Sequence, residues 1–206
     1  MNSSAVPART GPGRPRLASP KRAGSTASEE ILDAAAELFT TRGFTATSTR
    51  MIAEAVGMRQ ASLYHYFATK DDMLADLLEA TVSGPLTLAR ELLVAEDPAL
   101  QRLLRLARYD VTQLAQSRWN LGALYLLPEL AADNFAAFRA ARDELANAYA
   151  SLAAETLSDA GDPRRLLPFR LVESMIMMRS DDQHSNSYSA ADLTDTILGA
   201  ISAVLR

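Results

Sequence analysis

The sequence predicts an all-α protein in which an N-terminal helix-turn-helix head of three helices is followed by a larger helical domain. Three observations carry that prediction. Apolar residues recur at i, i+3/i+4 steps along most of the chain, and no stretch alternates with the period of two that a half-buried strand needs. Capping residues and Pro or Gly breaks divide the pattern into pieces of helix length. Residues 48–70, STRMIAEAVGMRQASLYHYFATK, hold two short helical segments joined at a glycine.

The first 24 residues carry five basic groups and no acid, with a Pro, Gly and Ser content that cannot build a core. They read as a disordered basic arm. Within it, Gly13-Arg14-Pro15-Arg16 resembles the arginine-proline core of AT-hook peptides, making Arg14 and Arg16 candidates for a narrow minor groove. The alternative is a solvated leader. A head at 25–78 follows. Thr26 with Glu29 forms a capping-box pattern, and Ile31, Leu32, Ala35, Leu38 and Phe39 repeat with helical period until Gly43. In the next pair of helices Ala53 supplies the small contact residue and Gly57 the turn, because steeply crossed helices need a small side chain and a residue free to take positive φ. Ile52 and Val56, with Met58, Leu63 and Tyr66, are expected to face the core.

That arrangement turns the start of the second helix outward. Arg59, Gln60, Ala61, Ser62, Tyr64 and His65 become candidate DNA contacts, joined by Thr49 and Arg50 on the preceding helix. Thr69 is placed to cap a fourth helix with Met73, Leu74, Leu77 and Leu78 on its apolar face, and Lys70 in its first turn is expected to meet a phosphate.

From 79 to 206 the pattern remains helical, with breaks at Gly84-Pro85, Asp97-Pro98, Pro128, Asp162-Pro163 and residues 180–189. Helices are predicted near 70–83, 86–95, 98–117, 121–127, 130–159, 164–179 and 190–205. The last two offer apolar stripes, Leu167, Leu171, Met175 and Met178 on one and Leu193, Ile197, Ala200, Ile201 and Val204 on the other, the second opened by a Ser189-to-Asp192 capping pattern. These stripes are either a dimer seam or intramolecular core. Leu104, Arg108 and Val111 share a helical face, and Trp119, Leu124, Phe138 and Phe169 supply bulky surface for a pocket in which Arg108 or Glu173 anchors a polar group. The competing reading of each is ordinary core or surface.

Charge separates the two domains. The whole chain is mildly acidic, at a formal −4, yet residues 1–70 hold nine basic and five acidic groups. A basic end on an acidic body orients the molecule toward a polyanion and predicts affinity that falls with salt. The absence of cysteine excludes disulfides, thiolate catalysis and cysteine metal sites. No glycine-rich phosphate loop is present, and His65 and His184 are the two histidines, so no catalytic triad assembles. No enzyme activity, cofactor or metal is expected. With no secretory-type apolar leader and no span of about 18 apolar residues, a cytoplasmic location without membrane attachment is expected.

In ILDAAAELFTTRGFTATS, MIAEAVGM and LYHYF, with Lys70 three residues after Phe67, residues 27–78 resemble the DNA-binding domain of the TetR family of transcriptional regulators. The resemblance implies a homodimeric, all-helical repressor released from a palindromic double-stranded operator by a small apolar or amphipathic ligand bound in the region 79–206. One departure stands out. Where the family commonly opens its recognition helix with a serine or threonine cap, this chain has Arg59, which offers no side-chain oxygen. The rival expectation is a regulator or architectural DNA binder controlled by a protein partner and lacking an internal pocket; a cavity of a few hundred Å3 in the body separates the two.

Overall fold

The structure, a computed structural model, describes residues 24, 26–182 and 188–206. Arg14, Arg16 and His184 lie outside the described residues. Helices α1 (Ala27–Arg42), α2 (Thr49–Val56) and α3 (Gln60–Leu63) form the head; α4 (Lys70–Leu93) runs from it into the body, completed by α5 (Ala99–Gln116), α6 (Ala136–Leu157), α7 (Leu167–Asp182) and α8 (Ala190–Val204). Among the described residues there is no strand, and no helix is long and apolar enough to cross a membrane.

Local chemistry sets the head. Thr26 and Glu29 satisfy each other's backbone N–H in a capping box at α1, and Ser48 caps α2 through the Met51 N–H. Gly57 takes the left-handed conformation (φ 71°, ψ 33°), where a Cβ would be strained, and this turns the chain from α2 into α3. Behind the turn Ile31, Ala35, Ile52, Ala53, Leu63 and Leu74 are almost wholly buried. Tyr66 corrects the expected core face: it is 50% exposed, and Phe67 is buried in its stead. The α-helix ends after one turn at Leu63, so helical spacing no longer decides which side chain points inward.

The predicted break at Gly84-Pro85 does not occur, since α4 runs through Pro85 without interruption. Proline lacks an N–H, which deprives the carbonyl four residues earlier of its helical donor. That carbonyl, of Thr81, instead accepts from Gln113 Nε2 of α5 at 2.7 Å. A neighbouring helix thus supplies the missing bond. The predicted helix at 121–127 and the start of the next at 130 are also corrected: three 3-10 segments, Leu121–Leu126, Pro128–Ala131 and Asp133–Phe135, precede α6. Pro128 holds Leu127 in extended backbone (ψ 129°) and prevents a continuous α-helix.

The body core gathers Leu103, Leu106, Val111, Tyr149, Val172, Met175 and Ile201 around α5. Arg102, almost buried, ties the α4–α5 connection to α6 by donating to the carbonyls of Leu92 and Asp97 and pairing with Glu155. The head has no separate core of its own. Leu124, Leu130, Phe135 and Phe138 belong to the same buried cluster as Ile31, Phe39, Ile52 and Leu74.

Candidate nucleic-acid interface

The exposed side of the head is a hydrogen-bonded platform. Gln60 Nε2 donates to Thr49 Oγ1 at 2.9 Å and to the Tyr64 hydroxyl at 3.1 Å, and the Thr49 and Tyr64 oxygens lie 3.2 Å apart. Three side chains on α2, α3 and the turn after it are held in a fixed mutual arrangement before any ligand arrives. The bonds from Thr49 and then Gln60 lower the Tyr64 pKa. Arg59 occupies the N-cap of α3 without a side-chain cap bond, leaving the first N–H groups of that turn open to an acceptor. Arg59, Gln60, Ala61 and His65 are exposed and Ser62 is half-buried, above Leu63, which is fully buried. Arg50 is exposed and forms an i,i+4 ion pair with Glu54 at 2.8 Å, so a phosphate would have to compete with that carboxylate.

Lys70 is engaged within the fold. Its ammonium points inward, donating to the carbonyls of Phe44 at 2.7 Å and Thr47 at 3.0 Å, and stands 4.2 Å over the Phe44 ring. An ammonium has three N–H groups, so at most one remains for a phosphate. Lys70 therefore fastens the α1–α2 connection to the start of α4. The carbonyls at the end of that connection attract the cation more closely than open solvent does.

The candidate ligand residues do not converge on one cavity. Val111 is buried in the body core, with Leu104 packed beside it, while Leu124 and Phe138 belong to the cluster that joins head and body. Arg108 takes the surface alternative to a ligand anchor: its side chain is 60% exposed and pairs with Asp195 of α8. Phe169 and Glu173 do line one interior void, together with Asp110, Tyr125 and Arg142, but its volume is about 10 Å3 and Glu173 is held by Arg142 and Arg170. Such a void is about the size of one water and far below a ligand pocket. Two clefts of several hundred Å3 open to the outside. One, of about 590 Å3, lies where Thr41, Arg118, Trp119, Asn120 and Arg179 meet; the other, of about 680 Å3, is a shallow groove between α4 and α5 that Arg108 borders.

Burial on Asp110 pushes its pKa up to about 7, despite the hydrogen bond from the Tyr149 hydroxyl at 3.2 Å. This residue had a signal in the sequence, as an acid on the stripe Leu103, Ala107, Asp110 and Leu114, all of which are buried. Arg118 and Asp33, which join body to head at 3.0 Å, had none.

The predicted dimer stripe is corrected in part. Met175, Ile197 and Ile201 are at most 2% exposed within one chain and are core, as the alternative reading held. Leu171, Met178, Leu193, Ala200 and Val204 are half-buried, and Leu167 is exposed. Outward-facing residues of the pair also include Leu166, Arg170 and Met177 on or before α7, and Thr196, Gly199 and Ala203 on α8. Choosing the more apolar side of each helix selected the side that packs on α5.

A family model described as "Bacterial regulatory proteins, tetR family" matches residues 31–77. The crystal structure of Mycobacterium smegmatis AmtR is 56% identical, with a TM-score of 0.81 and coverage of 91% of this chain and 89% of that one. The structure of the ketosteroid transcriptional regulator KstR2 of Mycobacterium tuberculosis has a TM-score of 0.71 at 19% identity, covering 88% of this chain and 94% of that chain, a likeness of fold alone. Among curated relatives, the HTH-type transcriptional repressor KstR2 of the same species, strain CDC 1551 / Oshkosh, is 36% identical over 74 residues, which cover 36% of this chain. The match spans only 37% of that relative's length.

Proposed function

Because the chain belongs to the TetR family of bacterial regulatory proteins, we propose that it is a DNA-binding transcriptional repressor that works as a homodimer on a palindromic operator and is released by an effector. The observation that supports this best is the Thr49–Gln60–Tyr64 platform beside the open start of α3. It offers amide, hydroxyl and guanidinium groups, the types that read base edges in a major groove, on a base already hydrogen-bonded in place.

One such surface reads too few base pairs for specificity. Two copies placed about 34–36 Å apart meet successive turns of the duplex on one side. The outward faces of α7 and α8, with Leu167 and Met177 exposed, are the assigned seam. Control passes along α4, which begins at the clamp of Lys70 and runs on against the body helices; a shift of this helix changes the separation of the two heads, and a coupling of about 1–3 kcal/mol suffices to loosen the operator. A second reading, control by a protein partner, is favoured by the close packing around Asp110, Tyr125 and Phe169, where the void is about 10 Å3. The cleft of about 590 Å3 beside Trp119 favours a small effector instead.

Electrophoretic shifts on duplexes selected from a random pool test the assignment. Tyr64→Ala is expected to weaken every bound sequence, whereas Arg59→Ala and Gln60→Ala change the preference among sequences. Binding identical to the parent for all three rejects the surface.

A further inference from the structure

The junction cleft has a chemistry of its own. Its wall is built by the end of α1, the segment after α5, the outer half of α7 and the start of α8, and among its described lining residues there are two arginines and no carboxylate. Arg179 is half-buried, and its guanidinium donates to the carbonyls of Leu114 and Ser117, which are neutral acceptors. Burial lowers its pKa, in keeping with a cation that lacks full compensation. Arg118 stacks 4.8 Å over the Trp119 ring and pairs with Asp33 of α1, to which the Trp119 indole N–H also donates at 2.9 Å. Asn120 is held by Ile176 and Ser180, so this wall is fixed, while Met175 and Leu193 add apolar surface. With Arg118 offset by Asp33, Arg179 is the cation of this cleft whose described acceptors are all neutral, and it draws an anion toward the apolar wall.

We propose that this cleft binds a small organic anion, its carboxylate or phosphate between Arg118 and Arg179 and its apolar portion against Trp119. The occupant competes with Asp33 for Arg118 and so loosens the tie between α1 and the body. The inference rests on the effector-released reading above, and the binding site it names is testable without DNA.

Trp119 is the only tryptophan of the chain, so its emission reports this cleft alone. The full chain is titrated at constant ionic strength with benzoate, inorganic phosphate and, as a neutral aromatic, benzyl alcohol. A saturable change with benzoate or phosphate, absent with benzyl alcohol, is the expected result, and whichever anion saturates lower identifies the headgroup. Arg118→Gln and Thr41→Glu, both at exposed positions, should weaken that binding about tenfold or more, since each removes or opposes a charge-assisted contact. No saturable change with either anion, an equal response to benzyl alcohol, or unchanged affinity in both variants overturns the proposal. Shifts of selected DNA by the same samples show separately whether the DNA-binding reading stands.

Discussion

The head and the α7–α8 pair each bury an apolar side of their helices, yet they settle their faces by different means. In the head, caps at Thr26, Ser48 and Thr69 and the left-handed turn at Gly57 fix the helices over short distances along the chain, and Gln60 then locks Thr49 to Tyr64. The α7–α8 pair takes its orientation from α5, far away in the sequence, so its most apolar side is spent on the chain's own core. Local determinants expose a polar surface at a defined place. Long-range ones decide only afterwards which apolar residues are left for a partner.

Neighbouring methionines break or sharpen this contrast most directly. Met175→Glu puts a carboxylate at a fully buried position, where Arg179 one turn on offsets it only in part, and is expected to cost about 2–4 kcal/mol in urea denaturation. A cooperative transition near that of the parent would place Met175 at an interface instead. In the head, Leu63→Ala removes a fully buried side chain and should cost about 2–5 kcal/mol, with loss of duplex binding.

Asp110 gives the body a pH dependence of its own. Its pKa is raised from the ordinary aspartate value of 3.8 to about 7, so the folded state holds an extra proton between those values. The stabilisation is complete below the unfolded pKa and is lost as pH rises through 7, with a slope approaching about 1.4 kcal/mol per pH unit in that window. Urea midpoints of the parent should therefore fall from pH 4 to 7 more steeply than those of Asp110→Asn; parallel profiles contradict the assignment. Smallest in stability is Met177→Glu at a site 58% exposed, expected to change the unfolding free energy of the monomer by about 0.5 kcal/mol or less. Its effect should appear in sedimentation, as a shift from dimer to monomer, and an unaltered dimer would move the seam elsewhere.

The helix-turn-helix was legible because each of its signals is local: a cap oxygen, a glycine at a positive-φ turn, a small residue at a crossing. Tyr66 and Pro85 show the limit. Spacing placed Tyr66 inward, but a single-turn helix loses its period; Pro85 read as a break, but Gln113, distant in sequence, serves the carbonyl that proline leaves bare. Lys70 stood where the sequence put it, and only the fold shows that two carbonyls draw its ammonium inward. The pocket was least legible, because helical faces name which residues turn inward without naming their neighbours on other helices. Arg108 and Phe169 point to different places for that reason.

Selection of duplex DNA by the full chain, followed by footprinting, tests the central claim most directly. Enrichment of paired, inverted half-sites whose centres are separated by about 34–36 Å or a whole multiple of it, with sequence preference altered by Gln60→Ala, is the predicted result. Failure to enrich any duplex, or enrichment of a single unpaired site indifferent to Gln60, would contradict it.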